Sequence, residues 1–445
     1  MSLYIILNLI VLLLLSLLFS SVSIFIVGLI GMLIVIYLAK KTSINFYKIL
    51  SIAFIMSIIM MLIAYWGYSQ QYGSPYFSGG SDDLAFENMS KYVMDMGYSS
   101  PGQYVKDPLL QFHNSKGFLW IISGVMKLVK PFGGYHTVAY RVLNINFLIG
   151  LGILITSFFK NNYGFKDNKN VVVLAVSTLF PNATFISIHV FRDTLIIFLL
   201  FAIFYIWDNF LKKEKRGFNS LLKIIILTSV IAYISFWIRN QSLVFIVAII
   251  LVSIFINKRT VSLKNFGVMI LLALTAIFVF EILGVFDMII AFNERYTVHK
   301  LNISDGLSNA IFRIPLFPFG VFVRFAYGLI SPIPVPILNT PKMFSDIKIF
   351  FDVIVSYGTV AQIFLLPYIV KNIKKIDKVF IVFILFMLGI VVTTFTFRHF
   401  IMLYPFMIIL IFREFFITSK VNKIIYNGFV SMGIVLAALI YLLIR

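Results

Sequence analysis

Cysteine is absent from all 445 residues, which excludes disulfides and thiolate metal sites. Charge is scarce as well. Only 12% of residues are Asp, Glu, Lys or Arg, against roughly 25% in a soluble domain. The chain also lacks a Gly-rich phosphate loop of the soluble NTPase kind, a heptad pattern, an internal repeat and a low-complexity tract. No His/Asp/Glu spacing marks a metal site. Residues 3–39 are apolar but have neither a basic n-region nor a small-residue cleavage site, so they are expected to be mature spans and not a signal peptide.

What is present is hydrophobicity. The chain is 61% hydrophobic, with a mean hydropathy of +1.00. Many windows of about 20 apolar residues recur, long enough to cross a hydrocarbon core of roughly 30 Å. A β-barrel would instead show short alternating segments. The expected fold is all-α, a polytopic transmembrane helical bundle of about 11–14 spans, folded as a single integral membrane domain over 1–445. The spans are expected near 3–20, 22–39, 47–67, 138–159, 171–190, 191–211, 219–238, 240–257, 265–285, 350–370, 379–397, 399–413 and 425–444.

The net charge of +20 raises the question of nucleic acid, and its distribution answers it. The basic residues cluster in short gaps between spans: Lys40–Lys41, Lys160/Lys166/Lys169, Lys212–Lys213/Lys215–Arg216, Lys258–Arg259, Lys371/Lys374–Lys375/Lys378 and Lys420/Lys423. This is the positive-inside pattern of a plasma-membrane protein, not a nucleic-acid patch. Of the acids, only Asp167, Asp208, Glu214, Asp377 and Glu414 share that side. The remaining acids fall in segments expected to face outward. The richness in Ile, Phe, Lys and Asn suits a bacterial source.

Two such segments stand out. Residues 68–136 form an outward loop carrying Asp82, Asp83 and Glu87, followed by an amphipathic surface helix within 117–136, with Trp120 and its lysines at headgroup level. Residues 286–349 are outward and proline-rich. Prolines 315, 318, 332, 334 and 336 break a regular helix, so this stretch is expected to be interfacial, re-entrant or a broken pair of spans.

Candidate chemistry gathers on the same side. Arg192, Arg239, Arg324 and Arg398 with His399 lie at outer ends of spans or in the proline-rich segment. Ionisable groups at membrane depth are costly and tend to be functional, and arginine grips phosphate oxygens in pairs. A lone arginine at a helix end also serves as a snorkelling anchor, and an Asp after a Gly-Gly-Ser turn also serves as a helix N-cap. Arginines opposite a carboxylate suit a reaction between a phosphate-bearing substrate and a hydroxyl: the carboxylate, Asp82 or Asp83, takes the hydroxyl proton, and the arginines hold the phosphate. Glu87, one turn further on, is the second-choice carboxylate. No redox cofactor is needed. Whether a divalent cation, Mg or Mn, sits on Asp82 and Asp83 is open.

The layout resembles a family. SGGSDDLAFENMSKYV after a span, KLVKPFGGYHTVAYRVLNINFLIG leading into the next, and LFPNATFISIHVFRDTLIIFLLFAIFYIW are similar to passages of the GT-C glycosyltransferase superfamily, over about residues 47–210. The resemblance implies a multi-pass enzyme that moves a sugar from a polyprenyl phosphate or pyrophosphate donor to a glycan or lipid-linked acceptor outside the cytoplasm, with Asp82 or Asp83 as the catalytic carboxylate. The chain departs from the pattern in an extra apolar hairpin before 47–67 and in having no large C-terminal soluble domain. SPIPVPILN and TTFTFRHFIMLYPF resemble passages of O-antigen and capsule repeat-unit polymerases, which implies a polymerase or ligase relying on Arg239 and Arg398 as the alternative. A lipid-linked oligosaccharide flippase is a third reading, expected to show duplicated halves.

Overall fold

The computed structural model describes residues 1–444 apart from 81, 112, 214–216, 257–289, 292, 296, 299–300, 303–306 and 394–396. The expected span 265–285 lies outside the described residues. The described residues are mostly helical, with no strand among them, and the chain divides into two compact units, 1–257 with 338–353 and 258–337 with 354–445.

The first unit is built on α1 (Ser2–Leu18), α2 (Val22–Thr42), α3 (Tyr47–Tyr72), α4 (Asp82–Asp95), α5 (Lys116–Val129), α6 (Thr137–Tyr163), α7 (Asp167–Leu179), α8 (Pro181–Ser187), α9 (Asp193–Leu211), α10 (Phe218–Ile238) and α11 (Ser242–Phe255). Its axis is α6, 27 residues long and buried along its whole apolar length. Helices α2, α3, α7, α8 and α9 pack around it. Without a hydrophobic drive between helices in lipid, close approach depends on small residues. A Cβ on Gly152 would fall 2.4 Å from Thr178 Cγ2, and one on Gly31 2.7 Å from Asn146 Nδ2.

The chain between α8 and α9 is irregular. Pro181 opens α8 and bends it 48° from α7, so the expected span 171–190 is a broken one. Freed carbonyls at membrane depth need donors. Asn144 of α6 supplies them, its Nδ2 donating to His189 O (2.9 Å) and Phe191 O (2.8 Å).

The second unit contains α12 (Leu307–Arg313), α13 (Val321–Leu329), most of α14 (Ile347–Lys371), α15 (Lys378–Thr393), α16 (Phe397–Phe400), α17 (Tyr404–Phe415) and α18 (Lys420–Ile444). Its proline-rich part is broken as expected, into α12, a single wide turn over Leu316–Gly320, α13 and a 3-10 stretch from Val335.

Six helices among the described residues are long and apolar enough to cross a membrane, seven if the bent α7–α8 pair counts as one. This makes the protein an all-α, multi-pass membrane protein. Part of the difference from the expected count is that 265–285 lies outside the described residues, and part is structural. Helices α1, α11 and α15, at 17, 14 and 16 residues, are shorter than a full crossing, and the expected span 399–413 is three short pieces.

Residues 68–116 are a folded cap and not an open loop. Asp107 gathers it, accepting from Tyr92 Oη (2.9 Å), Tyr98 Oη (2.8 Å) and the Leu109 and Leu110 N–H groups. Helix α5 buries Phe118, Leu119, Ile122 and Met126 against α4 and its neighbours. Trp120 Nε1 and Lys127 Nζ, expected at headgroup level, donate to the backbone of Ser99 and Tyr98.

Candidate functional site

The turn between α3 and α4 aims the carboxylates. Gly73 (φ 72°) ends α3 in the left-handed region, and Gly79 (84°) and Gly80 (120°) lie there too, where only glycine is unstrained. The reversal starts α4 at Asp82–Asp83, acids at a helix N-terminus. Successive residues on a helix point about 100° apart, and the pair divides accordingly: Asp82 is exposed and Asp83 is fully buried.

Asp83 Oδ2 accepts from the Phe77 N–H (2.9 Å) and Oδ1 from the Leu84 N–H (3.1 Å). Burial pushes its carboxyl above the ordinary carboxylate range, while the Phe77 N–H and the Arg141 charge pull it back. Glu87 is buried as well. Its Oε2 accepts from Tyr76 Oη (2.7 Å) and its Oε1 from Tyr135 Oη (2.8 Å). Burial and the Glu87 charge hold both phenols protonated, above the ordinary tyrosine value. Glu87 is thereby a fixed acceptor for two tyrosines.

Arg141, in the first turns of α6, stands behind this group. It is fully buried. Its Nη2 donates to Pro75 O (2.5 Å), its guanidinium lies 5.9 Å and 6.0 Å from the ring centres of Tyr65 and Tyr76, and its Nε and Nη1 have no hydrogen-bond partner. In the sequence Arg141 is one position of the passage leading into α6, although a charge inside a 27-residue apolar helix is itself a signal of function.

The surroundings of Asp82 are cationic. Lys116 opens α5, Arg192 precedes α9 and Arg239 ends α10. Arg192 Nη1 reaches Asn114 O and Ile238 O, each at 3.4 Å. The start of α5 is pressed onto the end of α10, where a Cβ on Gly117 would fall 2.6 Å from the Trp237 carbonyl carbon. Half-buried His113 sits among these groups. Its own burial, then Arg192 and Lys116, lower its pKa to about 4, with Asp82 opposing. His113 Nδ1 accepts from the Ser115 N–H (3.1 Å), so the neutral ring carries its proton on Nε2. No motif pointed to His113. Arg239 is committed differently: its Nη1 lies 3.7 Å from Asp193 Oδ1, both side chains buried, and its Nε donates to Gln241 Oε1 (3.1 Å).

The remaining candidates belong to the second unit. Arg324 is buried, with Nη1 donating to Asn293 Oδ1 (3.4 Å), Nη2 to Phe312 O (3.5 Å) and the guanidinium 4.8 Å from the Phe312 ring centre. Arg398 and His399 are half-buried on α16. The ring of Phe400 fills the space over Gly328, one turn beyond Arg324, so these three candidates share one region of that unit.

A cation held jointly by Asp82 and Asp83 fits poorly. Asp83 turns inward onto backbone N–H groups while Asp82 faces out, so the two carboxylates do not converge. Among the described residues no group of three His, Asp or Glu side chains forms a cation site.

The ionisation of Asp83 has a measurable sign. Its folded-state pKa is raised, so the folded chain holds the proton more tightly than the unfolded one. The stability it contributes is complete below the unfolded value and is lost as pH rises through the folded one. The stability difference, wild type minus Asp83→Asn, should therefore grow as pH falls from neutral through that window. Thermal unfolding of both proteins across the range checks this, and a difference that shrinks with acid refutes it.

No protein-family model, curated protein or solved structure matches this chain.

Proposed function

We propose that the chain is a membrane glycosyltransferase of the GT-C kind, moving a sugar from a polyprenyl phosphate or pyrophosphate donor to a hydroxyl acceptor on the non-cytoplasmic face, in cell-surface polysaccharide assembly in a bacterium. The observation that carries the reading is the exposed Asp82 carboxylate beside Lys116, Arg192 and neutral His113 at one end of the first unit.

In this reading Asp82 is the general base. It takes the proton of the acceptor hydroxyl as the oxygen attacks the sugar's anomeric carbon. The bond from that carbon to the donor phosphate breaks, and the phosphate leaves with the electron pair. Arg192 and Lys116 stabilise the departing charge, and the His113 Nε2–H is a neutral donor for the same group. Asp83, Glu87 and Arg141 hold the turn that aims Asp82. Arg324, Arg398 and His399 belong to the second unit and take no step here. No metal step is invoked.

The repeat-unit polymerase reading gives Arg239 a substrate role. Its buried pairing with Asp193 supplies a structural role instead, which favours the single-sugar reading.

The test is transfer from a labelled polyprenyl-phosphate sugar by the purified chain and by Asp82→Asn. General-base removal ordinarily costs about 10²- to 10⁴-fold, so at least about a hundredfold loss is expected in a variant with unchanged thermal stability. Asp82→Asn at wild-type rate would remove the assignment.

A further inference from the structure

The second unit has a groove of its own. It lies between α14 and α18, has a volume of about 660 Å³, and is lined by Ile363, Leu366, Pro367, Val430 and Ile434, with Tyr426, Lys371 and Lys374 at one end. From Tyr426 to Ile434 it follows α18 for about 12 Å at 1.5 Å per residue. That is close to the depth of one leaflet, half of a roughly 30 Å core. The groove is therefore apolar over a leaflet's depth and basic where that leaflet would meet water.

The basic end has charge to spare. Residues 371–378 and 413–423 carry Lys371, Lys374, Lys375, Lys378, Arg413, Lys420 and Lys423 against only Asp377 and Glu414. Both acids are already engaged. Glu414 pairs with Lys375 (2.9 Å) and Lys371 (3.3 Å), and Asp377 pairs with Arg413. Lys374 is exposed and has no hydrogen-bond or ionic partner among the described residues. An occupant must be apolar for a leaflet's depth and anionic at its head.

We propose that this groove is a binding site for one anionic phospholipid of the surrounding bilayer, an acyl chain lying along α18 and the phosphate headgroup on Lys374 and Lys371. Gly433 makes the site testable without harming the fold. It lines the groove, and a Cβ there meets nothing within 4 Å. A leucine at this helical position fills the groove and also favours the helix.

The full chain, delipidated in detergent, is titrated with dioleoyl phosphatidylglycerol or dioleoyl phosphatidylcholine, and retained lipid is read by native mass spectrometry. The expected result is preferential retention of phosphatidylglycerol. Lys374→Gln should reduce that preference about fivefold, the worth of one lysine near an anionic headgroup. Gly433→Leu should abolish retention while unfolding at or above the wild-type temperature in lipid-free detergent. Excess inorganic phosphate should leave the lipid bound. Equal retention of both lipids, retention undiminished in Gly433→Leu, displacement by inorganic phosphate, or tighter retention of a polyprenyl phosphate would each overturn the assignment.

Discussion

Arg141→Ala should lower the stability of the first unit by about 3 kcal/mol. Large-to-small replacement of a buried side chain typically costs about 2–5 kcal/mol through lost packing and the cavity left behind, and here an electrostatic loss is added to it. That loss falls on Asp83, fully buried and already driven toward protonation by its surroundings, with Arg141 among the groups opposing that drive. The variant also loses the bond to Pro75 O that holds the turn ahead of α4 and leaves a cavity beside Tyr65 and Tyr76. One effect works the other way. Arg141 keeps Nε and Nη1 buried without partners, at a cost that vanishes with the side chain. That offset places the expected figure at the lower end of the range. Adding Asp83→Asn removes that carboxylate, so the double variant should be more stable than the sum of the two single losses, by about 0.5–3 kcal/mol of coupling. Unfolding of the four proteins in detergent measures the cycle. Strict additivity, or an Arg141→Ala protein as stable as wild type, would disprove the coupling.

Arg141 also shows where the sequence was legible and where it was not. Composition and the basic gaps announced a multi-pass helical protein, because the hydrocarbon core imposes that pattern on every span. The acidic insert was visible as a break in it. The division of labour between Asp82 and Asp83 was not visible, since adjacent acids are equivalent until a helix turns one in and one out. Glu87 looked like a spare carboxylate because Tyr76 and Tyr135, 11 and 48 residues away, declare themselves as partners only in three dimensions. Length alone separated full crossings from short helices poorly, since apolar runs such as 240–257 continue past the point where the helix ends at Phe255. Asn144 carried no signal in sequence, although it satisfies the broken backbone ahead of Arg192. The arginines were recognised by type and position, and their partners could not be. Arg239 looked like a phosphate ligand because Asp193, 46 positions away, is not a sequence neighbour.

That pairing sets the last expected result. Arg239→Ala should destabilise the first unit by about 3–5 kcal/mol, because it removes one partner of a buried ion pair. The position of Asp193 in the first turn of α9 returns at most about 2 kcal/mol through the helix dipole. An activity lost in Arg239→Ala alone therefore says nothing about substrate. Replacing both partners with neutral residues of similar shape separates the two roles. Arg239→Gln with Asp193→Asn strands no charge, and its stability should lie within about 1 kcal/mol of wild type, since exchanging a whole buried pair is often close to neutral. If Arg239 only ties the end of α10 to the start of α9, that folded double variant keeps sugar transfer, and the catalytic weight stays on Asp82 with Arg192 and Lys116. A double variant that folds normally yet transfers nothing would put Arg239 on the donor phosphate and shift the balance toward repeat-unit polymerisation. The readout is transfer per folded molecule, with the folded fraction taken from the same thermal curves. The two outcomes differ by the whole activity and not by a fraction of it, because a guanidinium facing a departing phosphate in a low-dielectric site contributes to the transition state directly, whereas one facing Asp193 contributes only through the fold.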